Sequence, residues 1–220
     1  MFARKTSRRD LLTIAAAGFI LALAEFAGPV PASAQNARVD VDQLMAPGAL
    51  PDIVEGDANA PITIVEYASM TCSHCAAFAT NVYPTLKSKY IDTGKVKYIL
   101  REFPLDPLAT AGFMLARCSG DKRDAMIELL FAQQKNWAFV DKPLDGLLNV
   151  VKQTGMSQDT FEKCLKDQAL YDKVNQVRDR GAEKFNVNAT PTFFINGKRV
   201  SGEMTVEQVD KEITPLLPKG

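Results

Sequence analysis

Residues 62–75 read ITIVEYASMTCSHC, an apolar, β-branched run followed by two cysteines three positions apart. The run at residues 62–67 predicts a buried strand. A helix is predicted next, because apolar side chains recur every fourth residue at Phe78, Val82, Leu86 and Tyr90. Cys72 is therefore expected at a helix N-terminus, where free backbone N–H groups and the helix dipole favour a thiolate. A protonated His74, the only histidine in the chain, would favour it further. A thiolate attacks disulfides, so the pattern predicts thiol–disulfide chemistry.

Metal binding is the alternative reading of the two cysteines. A C-x-x-C pair also serves as half of a zinc site, but the remaining cysteines, Cys118 and Cys164, are not closely spaced. Met70, Cys72 and Cys75 resemble the M-x-C-x-x-C loop of small heavy-metal-associated domains, where thiolates hold Cu(I). Those domains are about half the size of an average domain. Cu(I) binding is kept as the lesser alternative, and no resident metal is expected.

The first 34 residues predict a cleaved export signal. Arg4, Lys5, Arg8 and Arg9 form a basic region, residues 11–24 form an apolar region, and Ala-Ser-Ala at residues 32–34 fits a cleavage site. Residues 7–12 read SRRDLL, which is similar to a twin-arginine signal, although paired arginines also occur in ordinary export signals. The apolar stretch is too short to span a bilayer comfortably, so an uncleaved anchor is less favoured. The predicted location is the oxidising periplasm.

Composition limits the classes of partner. The signal segment takes four basic and two acidic residues of the 26 of each in the chain, so the mature part has a net charge of −2. Nothing in that balance suggests binding to nucleic acid or to an anionic membrane surface. The 46% apolar content is ordinary for a folded protein. We expect a monomer with one domain that carries a large insertion.

The order of predicted elements defines the domain plan. Residues 35–60 are expected to form a docked N-terminal arm with a short amphipathic stretch at Leu44. Residues 61–104 form a β-α-β unit, with a second strand at 96–103 parallel to the first. Pro84 is expected to kink the intervening helix. Residues 105–186 carry helical periodicity throughout and predict an insertion of four or five helices.

The final segment, residues 187–220, returns to strand character. Strands are predicted at residues 192–195 and 199–201, joined by Asn196-Gly197, a strong hairpin signal. A last helix is predicted at residues 206–217.

With this order of elements, the chain resembles the DsbA-like thiol:disulfide oxidoreductases of bacterial envelopes. The resemblance extends from Pro51 to the C-terminus. Four motifs carry it: GDANAP at residues 56–61, CSHC at 72–75, REFP at 101–104 and ATPT at 189–192. It implies an α/β protein with a thioredoxin-like fold and an inserted all-helical subdomain.

The resemblance also implies roles for particular residues. Cys72 would be the surface nucleophile and Cys75 the buried resolving thiol. The Thr190–Pro191 bond would be cis and would contact the bound substrate. Glu66 would be a buried acid that exchanges a proton with Cys75. The other possibility for Glu66 is a solvent-facing position on a strand edge.

The thiolate expected at Cys72 implies a direction of electron flow, and the resemblance implies a partner for reoxidation. Stabilising the Cys72 thiolate favours the dithiol over the disulfide, so the oxidised protein would donate its disulfide to reduced exported proteins through a mixed disulfide at Cys72. The redox-active disulfide is then the only cofactor, and a DsbB-type membrane quinone reductase would restore it. A disulfide isomerase or reductase remains the alternative, because threonine also precedes the proline in isomerases. Isomerases usually carry an extra dimerisation module, and only 26 residues separate Ala34 from Pro61.

Cys118 and Cys164 both fall within the predicted helical insertion, 46 positions apart. In an oxidising compartment we expect them to form a structural disulfide, which would stabilise the fold by about 4 kcal/mol in the chain-entropy model. The alternative is two free buried thiols. Trp137 and Met126 are interpreted as core residues of the insertion.

Overall fold

The computed structural model describes residues 38–218. Five strands form a single mixed sheet, and helices pack on both of its faces. The predicted export signal at residues 1–34 lies outside the described residues, as do residues 35–37 at the start of the arm. The strands are β1 Ile53–Glu55, β2 Ile62–Ala68, β3 Val96–Glu102, β4 Thr192–Ile195 and β5 Lys198–Ser201. Their order across the sheet is β1-β3-β2-β4-β5. Only β2 and β3 run parallel, which makes them the predicted β-α-β pair.

The α-helices of the described part are α1 Val41–Met45, α2 Ser73–Asn81, α3 Tyr83–Leu86, α4 Pro107–Cys118, α5 Arg123–Ala132, α6 Gln134–Trp137, α7 Pro143–Val151, α8 Gln158–Leu165, α9 Gln168–Phe185 and α10 Val206–Ile213. Among the residues described, no helix combines the length and the apolar character needed to cross a membrane.

The strand β2 is central, and its two faces belong to two different apolar clusters. Ile64 and Ala68 pack into the larger cluster, which includes α2, α3 and the helices between β3 and β4. Val65 and Tyr67 pack into the smaller cluster, with Phe194 of β4. Glu66 alternates with Val65 and Tyr67, so it points toward the larger cluster and the cysteine-bearing helix.

The helix after the cysteines is interrupted close to the proline that was expected to kink it. The helix α2 stops at Asn81, Val82 has a φ of −113°, and α3 resumes at Tyr83 with Pro84 in its first turn. Proline has no N–H to donate to the preceding turn, which accounts for the interruption. The chain continues as a π-helix over Lys87–Ile91. The apolar side chains at four-residue spacing stay on the buried side: Phe78, Val82, Leu86 and Tyr90.

The segment between β3 and β4 is helical and holds six α-helices, α4 to α9, where four or five were predicted. Trp137 and Met126 are fully buried within it, as expected for core residues. Cys118 at the end of α4 and Cys164 in α8 form a disulfide, with Cα atoms 6.2 Å apart. The bridge therefore joins two helices of the insertion.

The N-terminal arm is part of the sheet, which differs from the boundary predicted at residue 61. Its helix α1 docks through Leu44, which is 2% exposed, and its strand β1 pairs antiparallel with β3. Arg101 of β3 donates two hydrogen bonds, of 2.8 and 2.9 Å, to the carboxylate of Asp52, the residue that immediately precedes β1. A strand of three residues is too short for its alternation to be recognised in the sequence.

The C-terminal hairpin follows its predicted turn. Asn196 and Gly197 both have positive φ, 44° and 82°, as a tight two-residue turn requires. The second strand starts one residue earlier than predicted, at Lys198. The last helix ends at Ile213 and passes into a short 3₁₀ turn, not reaching residue 217 as predicted. Pro215 explains the early end, because it cannot donate the next helical hydrogen bond.

The contact between α9 and β2 gives a testable prediction about packing. A Cβ added at Gly181 would lie 2.7 Å from Cε1 of the buried Tyr67 ring. Overpacking costs about 1–3 kcal/mol, whereas replacing glycine by alanine inside a helix gains at most about 1 kcal/mol. We therefore expect Gly181→Ala to lower the free energy of unfolding in urea by about 1–2 kcal/mol. The exposed Gln176→Ala in the same helix is the control and should change it by less than about 0.5 kcal/mol. A Gly181→Ala protein at least as stable as the wild type would contradict this packing.

Candidate active site

Cys72 occupies the N-cap of α2, as the sequence predicted. Its backbone is extended, with φ −80° and ψ 120°, and its carbonyl accepts the first helical hydrogen bond from the Ala76 N–H. Cys72 is partly exposed, whereas Cys75 one turn into the helix is fully buried. Both thiols are free. The two sulfurs therefore differ in access to a partner, as a nucleophile and a resolving thiol must.

The pKa of Cys72 falls from 9.0 to about 5, and several donors account for this. The largest contribution is a hydrogen bond from the Cys75 thiol. Burial opposes it and raises the pKa, while Thr190 and the backbone N–H groups of Cys75 and His74 lower it further. The predicted helix N-terminus thus contributes through its N–H groups. A protonated His74, which the sequence suggested as a further cause, also favours the thiolate, because the negative charge on Cys72 raises the pKa of His74 and the coupling between the two groups is mutual.

His74 has a partner that the sequence did not suggest. Its Nδ1 lies 3.0 Å from Oε2 of Glu203, which follows β5. This hydrogen bond, and then the negative charge on Cys72, raise the pKa of His74 above 6.5. The histidine is exposed, so the pair lies at the surface beside the nucleophile.

The loop that precedes β4 completes the surroundings of the nucleophile. The Thr190–Pro191 peptide bond is cis, and Cys72 Sγ lies 3.3 Å from the Thr190 carbonyl oxygen. Thr190 and Pro191 are both largely buried. The structure thus brings together the two segments that the family resemblance assigned to nucleophile and substrate contact, although 118 positions separate Cys72 from Thr190.

Glu66 is buried beneath the helix, with 2% of its surface exposed. The solvent-facing alternative for this residue is therefore wrong. Tyr98 of β3 donates a hydrogen bond to its carboxylate. Burial raises the pKa of Glu66 to about 8, against the lowering effect of Tyr98. The pKa of Cys75 is raised well above its ordinary value, first by burial, then by its hydrogen bond to Cys72, then by the charge of Glu66. Both groups thus favour the protonated form.

The helical insertion holds the active-site loop through a residue that sequence reasoning missed. Gln134 of α6 is 4% exposed, and its Nε2 donates to the backbone carbonyls of Met70 and Cys72, at 2.8 and 2.9 Å. At the start of the insertion, Asp106 accepts a 2.6 Å hydrogen bond from the Thr71 hydroxyl. A buried glutamine in a helical region carries no local signal of this contact.

The Cu(I) alternative required Met70 to join the two cysteines. Met70 is fully buried, and its Cβ and Cγ lie just above Gly112 of the insertion. Within residues 38–218, no group of three or more His, Cys, Asp or Glu side chains is arranged to hold a metal ion. The methionine therefore serves the packing between loop and insertion.

Comparisons with known proteins agree with this fold. A family model described as thioredoxin matches residues 49–214. One relative, from Rickettsia bellii, carries the name protein-disulfide oxidoreductase and is 35% identical over 150 residues. The match covers 66% of this chain and 57% of that protein. A Rickettsia typhi protein with a similar name is 32% identical over 168 residues, or 76% of this chain and 62% of that protein. The crystal structure of Wolbachia pipientis alpha-DsbA1 has a TM-score of 0.74 and 32% identity, covering 80% of this chain and 96% of that one.

A partly exposed and a buried cysteine at a helix N-terminus, facing a cis-proline loop on a thioredoxin-like sheet, define a dithiol protein of the thioredoxin class. The chain belongs to the thioredoxin family and, within it, to the DsbA-like thiol:disulfide oxidoreductases. The predicted fold class, a thioredoxin-like fold with a helical insertion, is confirmed. The chain spans 57% and 62% of the length of the two Rickettsia relatives.

The buried acid gives a prediction about pH and stability. The pKa of Glu66 is about 8 in the folded protein against an ordinary 4.5, so between these values unfolding releases a proton. Stability therefore falls as pH rises through this window, by up to about 1.4 kcal/mol per unit. We expect the reduced Glu66→Gln protein to exceed the wild type in unfolding free energy by about 3 kcal/mol at pH 7, and by little below pH 4.5.

The measurement is urea unfolding of the reduced proteins across this pH range. The exposed Glu183→Gln is the matched control, because it removes a carboxyl group that is not buried. A Glu66→Gln difference that does not change with pH would show that the carboxyl of Glu66 ionises normally in the folded state.

Proposed function

We propose that this protein is a periplasmic dithiol oxidase that donates the Cys72–Cys75 disulfide to exported proteins. The observation that carries the proposal is the pKa of Cys72, lowered to about 5 beside a buried partner thiol. A thiol so acidic is a good leaving group, so a disulfide that contains it is readily reduced by a client. The membership of the chain in the DsbA-like family and the names of its relatives support the proposal.

The reaction proceeds in two exchanges. A client thiolate attacks Cys72 Sγ, the bond between Cys72 and Cys75 breaks, and Cys75 leaves as a thiolate that takes up a proton from Glu66. A second client thiolate then attacks the client sulfur of the mixed disulfide, and Cys72 leaves as a stabilised thiolate. The client gains one disulfide, and the protein is left as the dithiol. Thr190 and Pro191 are proposed to contact the client segment beside the mixed disulfide, because they border Cys72.

The acidity of Cys72 sets the direction of exchange. Each unit by which its pKa lies below ambient pH favours the dithiol by about 1.4 kcal/mol, or about 30 mV for the two-electron couple. Cys72 is only half-buried, so solvent screening reduces the effect, and we expect roughly 30–60 mV at pH 7. This shift is toward the oxidising side, as a disulfide donor requires.

The cellular part of the proposal rests on the sequence. Export through the signal at residues 1–34, by either route, would deliver a monomer to the periplasm, where its clients are reduced and incompletely folded proteins. Each turnover leaves the dithiol, so a membrane quinone reductase of the DsbB type is proposed as the reoxidising partner. The disulfide between Cys118 and Cys164 is assigned a structural role, since neither cysteine has a C-x-x-C neighbour.

Replacement of the two active-site cysteines separates their roles. We expect Cys72→Ser to reduce oxidation of a reduced two-cysteine peptide to the uncatalysed rate, because the attacked sulfur is gone. We expect Cys75→Ser to accumulate a long-lived mixed disulfide when mixed with an oxidised peptide, because no resolving thiol remains. Intact mass after acid quenching measures both outcomes. A Cys118→Ser/Cys164→Ser double variant is the control and should retain peptide oxidation. Wild-type oxidation by Cys72→Ser would refute the assignment.

The redox equilibrium with glutathione distinguishes the oxidase from the reductase or isomerase on the same fold. An oxidising potential, above that of the glutathione couple, is the result expected for a disulfide donor. A strongly reducing potential would contradict the oxidase and favour the reductase.

A further inference from the structure

A small cavity lies under the sheet face that carries Glu66, and a second carboxyl group borders it. The cavity has a volume of about 40 Å³, and its walls include Glu66, Tyr98, Tyr83 and Glu55. A single water needs roughly 10–15 Å³, so the cavity has room for water. Its polar lining sits among apolar residues of β1, β3, α2 and α5: Ile53, Leu100, Ala79, Ile127 and Phe131.

The sheet register places these polar groups in one row. Glu55 of β1 is directly opposite Tyr98 of β3 in the antiparallel pair, so their side chains share a face of the sheet. Tyr98 lies two residues from Leu100, the β3 partner of Glu66 in β2, so Glu66 shares that face too. The row runs from the buried centre of the sheet to its edge strand.

Hydrogen bonds join the row in two pairs. The Tyr98 hydroxyl donates to Glu66 at the inner end, and the Tyr83 hydroxyl donates to Glu55 at the outer end, with an O–O distance of 2.5 Å. The two tyrosine rings lie against each other, with centroids 5.0 Å apart. Hydroxyl groups can accept one proton while donating another, so this arrangement suits proton transfer.

The outer carboxyl reaches solvent. The side chain of Glu55 is 21% exposed and lies 4.0 Å from the ammonium of Lys87. Burial raises its pKa, while the Tyr83 hydroxyl and Lys87 lower it and Asp124 and Glu128 raise it. Those last two carboxyls also border the cavity. A simpler account is that the Tyr98 hydroxyl only supplies a hydrogen bond to the buried carboxyl of Glu66. That account does not explain why a second tyrosine–carboxylate pair, Tyr83 and Glu55, borders the same cavity.

We propose that Glu55, Tyr83 and Tyr98 form a proton path that connects Glu66 with solvent. When the disulfide opens, Cys75 leaves as a thiolate and takes the proton of Glu66. Glu66 then regains a proton from the Tyr98 hydroxyl as that hydroxyl accepts one from cavity water. The water accepts a proton from the Tyr83 hydroxyl, Tyr83 accepts one from Glu55, and Glu55 regains its proton from solvent. One proton enters from solvent for each Cys75 thiolate protonated, and the path reverses when the dithiol is reoxidised. The inference rests on the proposed exchange chemistry at Cys72 and Cys75.

The test follows single-turnover exchange of the protein disulfide with glutathione in both directions. Interrupting a proton path should lower the forward and reverse rates by the same factor and leave the equilibrium unchanged. Direct acid–base catalysis contributes about a hundredfold or more, so we expect a smaller, roughly tenfold loss for Glu55→Gln and for Tyr83→Phe. Both variants should also show a larger solvent deuterium effect. The double variant should be no slower than either single one, because both interrupt the same path.

Glu183→Gln is the matched control. It removes an exposed carboxyl of α9 that does not border the cavity, so its rates should match the wild type. Glu55→Gln rates equal to wild type in both directions would overturn the proposal, as would a variant that moves the equilibrium. Exchange with glutathione needs only a reactive Cys72 and Cys75. A wild-type protein that exchanges with glutathione but oxidises no client would therefore refute the oxidase function and leave the proton path open to this test.

Discussion

The stabilisation of an anionic sulfur at Cys72 is the interaction on which the rest of the site depends. The Cys75 thiol and the first N–H groups of α2 donate toward that sulfur, and together they make the pKa unusually low. The partner thiol is affected in the opposite sense, because burial raises the pKa of Cys75. One cysteine is thus prepared to carry charge and the other to carry a proton, which divides the roles of nucleophile and resolving thiol.

The fold holds this pair from three sides. The helix α2 presents the cysteines, the cis-proline loop before β4 approaches Cys72 through Thr190, and Gln134 of the insertion fixes the backbone leading to Cys72. Below the helix, Glu66 is kept protonated near neutrality by its burial in the sheet. The insertion therefore does more than cover the core, since it positions the active-site loop. The DsbA-like family membership is in keeping with this arrangement.

The sequence predicted features that depend on local pattern. The strand before Cys72, the helix after it, the Asn196-Gly197 turn and the helical insertion follow from periodicity and turn chemistry within short windows. It did not predict Glu203 beside His74, or Gln134 on the active-site loop, because those contacts join residues 129 and 62 positions apart. The strand β1 was missed because three residues show no clear alternation. The pairing of β1 with β3 places Glu55 opposite Tyr98 and so creates the row of polar groups. That pairing is decided when the sheet assembles, so no short stretch of sequence predicts it.

The most direct test is a titration of the reduced protein, following the ultraviolet absorbance of the thiolate, with Cys72→Ser as the reference. The account predicts that Cys72 ionises with a pKa near 5. It also predicts that Cys75 contributes no thiolate near neutrality, because burial raises its pKa. Ionisation of Cys72 near the ordinary cysteine value of about 8.5 would contradict the account, since the disulfide would then have no stabilised leaving group.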